Sequence, residues 1–316
     1  MPSLSRRAVL ALGAGVLGTA VPAGCSGPAP RGELRLAAGP EGGPYEAFGR
    51  RLAAEIHAAY GGLAVEVIGT AASVQNLLLL GGREAELGLT LADSAADAVA
   101  GRFSFDRPVA VSAIARLYLN QLHLVVPAGS PVGSAEQLLG RAVSLGAAGS
   151  GTSVVAERVL AAAGVDAGGA RRLGLPESVA ALRSGALEAF FWSGGVPTRA
   201  ITELAADLPI RLVPLGGLAP ALRQTYGPVY ESVSIPAGAY GQREPTTTLG
   251  TPSYLVCRAE LAAATVRAVT EVLFRRRERL QVPDAPGSRL DERYAIGTGT
   301  VPLHPGAQAY YRSVHG

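Results

Sequence analysis

The run Gly146-Ala147-Ala148-Gly149-Ser150-Gly151-Thr152-Ser153 has the spacing of a phosphate-binding loop, but Thr152 stands where that chemistry needs a lysine. The chain has no Lys at all, and its 28 basic residues are all Arg. The loop therefore lacks the ammonium that grips a nucleoside triphosphate. The same absence excludes a Schiff-base lysine and the Ser-x-x-Lys nucleophile. The loop still offers close backbone approach through its glycines. If a helix follows, it also offers free N–H groups that favour an anion such as a carboxylate. The alternative is a plain strand-to-helix turn.

Gly39-Pro40-Glu41-Gly42-Gly43, the stretch Gly69 to Ser73, and Ser193-Gly194-Gly195 share this character, each after an extended apolar run. In parallel α/β sheets, loops at strand C-termini converge on the ligand crevice, so such loops from two domains are expected to line one cleft. Catalytic constellations are missing from the sequence. His57, His123, His304 and His315 have no metal-ligand spacing, there is no His-Glu-x-x-His, and no Gly-x-Ser-x-Gly surrounds Ser150. Each His reads as a surface or boundary residue. No catalytic residue, metal or cofactor is expected. Trp192 closes Phe190-Phe191-Trp192, where the two Phe read as core and Trp192 as core or cleft floor. Arg275-Arg276-Arg277 reads as a solvated helix end. With aromatics at 5% and charges otherwise mixed, no nucleic-acid partner is expected.

Elements that would hold these loops alternate between strand and helix, which predicts an α/β architecture. Strands are expected at Leu34 to Ala38, Val65 to Ile68, Leu87 to Leu91, Ala142 to Leu145, Ala189 to Trp192 and Leu249 to Val256. Helices are expected from Pro44, with Phe48, Leu52 and Ile56 on one face, and at Ser73 to Leu80, Ser153 to Ala163 and Ser178 to Arg183. Two further helices follow, one from Pro197 to before Pro209 and one over Glu260 to Leu280. Val109 to Val126 reads as buried sheet followed by a crossover. The economical organisation is two α/β lobes, 33–124 plus 255–316 and 125–254, joined by two extended crossings.

Ahead of them, Met1 to Arg7 is short and positive, and Ala8 to Val21 is an apolar run too short to span a bilayer, so residues 1–24 read as an export signal. Ser5-Arg6-Arg7-Ala8-Val9-Leu10 is similar to the twin-arginine consensus. Ala23-Gly24-Cys25 is similar to the end of a lipobox, which would make Cys25 the lipidated residue; the alternative is a signal with an incidental Cys. Residues 25–32 read as a tether. Cleavage before Cys25 leaves 26 Arg against 25 acids, so the mature charge says little about partners. Cys257, in Tyr254-Leu255-Val256-Cys257, reads as a buried thiol.

Several pieces in order carry a resemblance. They are Gly42-Gly43-Pro44-Tyr45, Thr70-Ala71-Ala72-Ser73-Val74-Gln75-Asn76-Leu77, Glu86-Leu87-Gly88 leading to Asp93, and Gly149-Ser150-Gly151-Thr152. Leu187-Glu188-Ala189-Phe190-Phe191 with Gly195-Val196-Pro197-Thr198, Ser234 to Tyr240, and Val301 to Ala307 complete the set. From about Leu34 onward the chain resembles the TAXI group of solute-binding proteins from tripartite ATP-independent periplasmic (TRAP) transporters. The resemblance implies an α/β, two-lobed type II periplasmic-binding-protein fold with a ligand cleft between the lobes. It implies a monomeric receptor, anchored on the outer face of the cytoplasmic membrane, that captures a small carboxylate for an integral-membrane TRAP permease. A sensing role beside a membrane kinase would use the same site.

Carried over residue by residue, the resemblance puts Gly43, Tyr45, Thr70, Ser73, Asn76 and Asp93 on the first lobe's cleft wall. Ser150, Gly151, Thr152, Trp192, Ser193 and Gly195 face them from the second. Asp93 would hold a ligand ammonium or orient a loop; the alternative for Asp93 and Asn76 is that they cap their own helices. Arg199 is the candidate cation, with a solvent-facing role as the alternative. Leu91 and Asn120 depart from the family, which commonly has Gln and an acid there.

Overall fold

The computed structural model describes residues 30–281 and 290–315. The export signal, Cys25 and most of the tether lie outside the described residues. The first part of the chain runs β1 (Gly32–Ala37), α1 (Pro44–Ala59), β2 (Leu63–Ile68), α2 (Ser73–Gly81), β3 (Leu87–Leu91) and α3 (Ala92–Ala100), then the 17-residue β4 (Val111–Pro127). After it come β5 (Val143–Ser144), α4 (Gly151–Ala162), α5 (Leu175–Arg183), β6 (Ala189–Gly194), α6 (Arg199–Asp207), β7 (Ile210–Leu212), α7 (Ala219–Tyr226) and β8 (Glu231–Ile235). The chain then crosses back along β9 (Thr246–Arg258) to α8 (Ala263–Arg275), α9 (Glu292–Ala295) and α10 (Pro305–His315).

The strands form one sheet in the order β2-β1-β3-β9-β4-β6-β5, with β7 added to β4 and β8 to β9. β4 and β9 pair antiparallel from Val111↔Arg258 to Gln121↔Gly250, with register shifts at Ala113/Ala115 and Arg116/Leu119. Bulges of this kind bend a strand and raise its twist, which lets two long strands leave one core and enter another. On one side, Leu36, Leu52, Ile56, Leu87 and Leu89 pack with Phe274, Tyr310 and Tyr311, and α2 and α3 cover the opposite face. On the other side, Leu122, Leu124 and Val126 pack with Val155, Val159 and Phe191. The result is two lobes joined by β4 and β9.

Where the chain follows strong periodicity, expectation and structure agree closely. The alternation of Leu87 to Leu91 is β3, and Phe48, Leu52 and Ile56 are buried along α1. Corrections concern weaker signals. Residues 109–126 contain a single continuous strand and no break. The long helix expected over 260–280 ends at Arg275, where Arg276 leaves helical dihedrals and a single 3-10 turn follows. Ser193 and Gly194 belong to β6 and are not a loop. α3 shows no hydrophobic stripe in the sequence, because its buried residues are the small Ala92, Ala95 and Ala98 together with the polar Asp93, Ser94 and Asp97. His123 and His304 are fully buried, contrary to the surface or boundary position expected for each, whereas His57 and His315 are exposed. Cys257 is a buried free thiol.

Candidate functional site

Between the lobes lies a cavity of about 540 Å³. Its first wall is the turn before α1 (Pro40, Glu41, Pro44, Tyr45) and the turn before α2 (Ala71, Ala72, Ser73), with Leu91 at the end of β3. The opposite wall is the glycine loop before α4 (Gly146, Ala147, Ser150, Gly151, Thr152), the segment Arg172 to Glu177 leading into α5, and Phe191, Trp192 and Ser193 on β6. Asn120 on β4 closes the floor. The N-termini of α1, α2, α4 and α5 thus all reach this space, and the first-turn N–H groups of a helix have no intrahelical acceptor.

The local sequence explains each placement. Gly146 has φ +93, and a Cβ there would sit 2.7 Å from Thr152 Cγ2, so only glycine lets the loop fold back on its helix. Ser150 caps α4, its Oγ accepting the Ser153 amide at 3.1 Å. Thr152 Oγ1 accepts the amide of Ser193 at 3.2 Å, tying α4 to β6. Trp192 Nε1 donates to Thr198 Oγ1 at 3.0 Å, and the Thr198 hydroxyl donates to the Gly195 carbonyl at 2.6 Å. Under the floor, the Tyr45 hydroxyl lies 2.7 Å from Ser253 Oγ, and Asn120 Nδ2 donates to the same Ser253 oxygen. The Tyr118 hydroxyl is buried beside them without a partner among the described residues, its ring 6.3 Å from that of Tyr45. Burial pushes the Tyr45 phenol above its usual range, so this floor is neutral and offers hydroxyls and an amide.

The chain matches the model of the NMT1-like family over residues 36–314. The chain belongs to the NMT1-like family. Two solved structures share its architecture. One, from Bordetella bronchiseptica RB50, is 18% identical, with 86% of this chain and 83% of that chain covered, at a TM-score of 0.51. The other, a binding-protein component of an ABC phosphonate transporter from Pseudomonas aeruginosa, is 10% identical, with 78% and 75% covered, also at 0.51. These likenesses show the fold, which is the mixed α/β fold of periplasmic binding proteins.

Within this member of the NMT1-like family, the structure brings Tyr45, Ser73, Ser150, Gly151, Thr152, Trp192 and Ser193 to one cavity. The other expected site residues stand behind it. Gly43 is the N-cap of α1, and a Cβ there would lie 2.9 Å from the Pro40 carbonyl. Thr70 Oγ1 donates to Asn76 Oδ1 at 2.5 Å. Asn76 is fully buried, and its Nδ2 donates to the carbonyls of Ala38 (2.5 Å) and Leu89 (2.6 Å), so it pins β1 and β3 and neither caps α2 nor faces the cavity. Asp93 is also off the cavity: it lies in the first turn of α3, one residue past the N1 position, where its Oδ1 accepts the Ser94 amide at 2.7 Å, so it serves its own helix end, while its Oδ2 accepts the Tyr230 hydroxyl at 2.7 Å. Gly195 contributes a carbonyl to Thr198 and does not line the cavity.

Arg199 is exposed and pairs with Glu203 at 2.7 Å, one helical turn on, so the cation expected at the site is not this one. Arg172 lies on the cavity wall, its Nη2 2.9 Å from Glu157 Oε1. Arg172 precedes a segment without hydrophobic period, and nothing in its neighbours marks it as a wall. Asn120 and Leu91, the two positions that depart from the resembled family, both line the cavity.

Proposed function

We propose that the protein is an extracytoplasmic solute receptor of the TAXI kind, which captures a small carboxylate between its lobes for a TRAP-type permease. The observation that carries this reading is the cavity shared by both lobes, where the N-termini of α1, α4 and α5 and Arg172, set against Glu41 and Glu177, surround a neutral hydroxyl-and-amide floor. N–H groups at a helix terminus favour an anion by about 0.3–1 kcal/mol each. A guanidinium on the wall adds a bidentate partner for a carboxylate. Pro40, Pro44, Leu91 and Phe191 supply an apolar surround for a compact carbon skeleton. The lobes close about β4 and β9, since a cleft with two walls gains its second set of contacts only on closure. Cys25 serves as the lipid anchor at the outer face of the membrane. Among the described residues no helix is long and apolar enough to cross a membrane.

A thermal-shift screen of amino acids, dicarboxylates, keto acids and sugars tests the ligand class, because a ligand at about a hundred times its Kd adds roughly 2.7 kcal/mol. Stabilisation by acids supports the reading, and stabilisation by neutral sugars alone overturns it. Cys25→Ala protein that stays membrane-bound after a salt wash would overturn the anchor. A permease gene beside this one favours transport, and a histidine-kinase gene favours sensing.

A further inference from the structure

Behind the wall that carries Leu91 and Gly151, a buried ion cluster joins the two lobes. Asp93 and Asp97 lie one turn apart on α3, whose Ala92, Ala95 and Ala98 pack on the first lobe. Arg158 lies on α4, whose Val155 and Val159 pack on the second. Arg158 Nη2 donates to Asp97 Oδ2, and its Nη1 donates to the Tyr230 hydroxyl at 2.8 Å and stands 3.6 Å from Asp93 Oδ2. Tyr230, itself fully buried in the second lobe's core, donates to Asp93 at 2.7 Å. The Arg158, Asp93 and Asp97 side chains are 5%, 0% and 4% exposed. The rings of Phe103 and Tyr226 lie 5.0 and 4.4 Å from the guanidinium and cover it from opposite lobes.

We propose that Arg158 with Asp93 and Asp97 is a latch between the lobes that holds them closed and so regulates how long the cleft stays shut. This rests on reading the protein as a receptor whose lobes close on a solute. Three features support it. Each helix is anchored to its own lobe by apolar packing, so the cluster is not what folds either one. Both ion pairs of Arg158 cross between lobes, and only its contacts with Tyr230 and the Tyr226 ring stay within its own. Two carboxylates one helical turn apart are held by a single buried guanidinium, with only the half-exposed Arg102 as a second cation, 3.7 Å from Asp97. Burial works against the Arg158 charge, but Asp93, Tyr230 and Asp97 outweigh it and hold the guanidinium well above its ordinary range. Without that cation the carboxylates repel each other in a dry interface, and the strain is relieved by taking up a proton, which burial already favours at Asp97, or by reaching water as the lobes part.

The latch is therefore independent of which solute binds, and it is read in solute-free protein. Nitroxide labels at Ala54→Cys on α1 and Ala161→Cys on α4, both exposed positions, in a Cys25→Ser background would report the distance between lobes by double electron–electron resonance. Arg158→Met should lengthen the distribution, Arg158→Lys should restore it in part, and Asp97→Asn should give an intermediate shift. If a solute is in hand, its dissociation from Arg158→Met should be at least about tenfold faster. Wild-type distances in both Arg158→Met and Asp97→Asn, with only a lowered melting temperature, would overturn the latch. Failure of both variants to fold would also overturn it, since the cluster would then belong to the fold. A screen that finds no solute would undo the receptor reading and leave the distance result standing.

Discussion

Gly151 and Ser73 meet across the cleft so closely that a Cβ on Gly151 would sit 2.5 Å from Ser73 Oγ, and 2.7 Å from Leu91 Cδ1. Just before it, the Gly149 carbonyl accepts the amides of Val74 at 3.1 Å and Gln75 at 3.2 Å, so the α4 loop of one lobe covers the α2 N-terminus of the other. Closure brings two helix N-termini together, and glycine is what permits the approach. Ser73 Oγ is committed by accepting the Leu91 amide at 3.0 Å, so it cannot easily turn away.

Gly151→Ala should thus keep the fold and weaken closure. Gly151 does not need a positive φ, and alanine is the better helix former by about 1 kcal/mol. The methyl group would instead push the lobes apart. Titration calorimetry should show solute affinity reduced by at least about tenfold, with the far-UV circular dichroism of wild type retained. Unchanged affinity would mean that the lobes do not approach this closely when solute is bound.

The loops could be read from sequence because glycine spacing reports backbone demands directly. Gly146 and Gly149 have positive φ, and the loops before α1, α2 and α4 each open a helix, whereas Ser193 and Gly194 extend β6. Individual side-chain roles were less legible. Asn76 is a polar residue just after a glycine loop and Asp93 one just past a strand end, which is also how a ligand contact looks. That their partners are the carbonyls of Ala38 and Leu89, and Arg158 with Tyr230, depends on β1, β3 and α4 being brought together by tertiary packing. Arg172 is illegible for the same reason, since it reaches the cavity only through the placement of its segment.

A buried histidine gives stability a pH dependence. His123 has Nδ1 at 2.9 Å from the Gln121 carbonyl and 3.2 Å from that of Trp192, with Nε2 3.0 Å from the Tyr240 hydroxyl. The neutral tautomer with a proton on Nδ1 satisfies both ends. Burial, opposed by those carbonyls, drives its pKa down from 6.5 to about 4. The unfolded chain then binds a proton that the folded chain refuses, so stability is full above pH 6.5 and falls as pH drops toward 4. The loss approaches roughly 3 kcal/mol. His304, also lowered by burial, adds in the same direction. Urea unfolding of wild type and His123→Gln at pH 7 and pH 4.5 should show a shallower loss in the variant. Equal losses would show that His123 is not the titrating group.

Ala72 on the cavity wall has φ 82 and ψ −149, a region that is essentially reserved for glycine. Such a residue stores about 1–3 kcal/mol of strain, and glycine there costs about 0.5–1 kcal/mol of chain entropy. Ala72→Gly should raise the melting temperature by about 2–4 °C. A lower melting temperature would show that the methyl group, packed against the first lobe's core, matters more than the backbone.

Arg172 offers the sharpest test of the ligand class. Its side chain is 37% exposed and shared with Glu157, so it is already half committed to a carboxylate. A solute acid would compete for the same guanidinium, which makes Glu157 a tuning group for affinity. Arg172→Gln should lower affinity for acids by about ten- to hundredfold, the range of one charge-assisted hydrogen-bonding pair in a partly dry site. Neutral solutes, if any bind, should be little affected. Glu157→Gln should act oppositely, tightening acids by a few-fold, because it removes the competitor and a nearby negative charge. Raising salt from low to physiological strength should weaken acid binding in wild type more than in Arg172→Gln, since the exposed part of this interaction is screened. If Arg172→Gln leaves a confirmed acid's affinity intact, the charge is met by the helix N-termini alone; if Gly151→Ala is also silent, the acid binds outside this cavity.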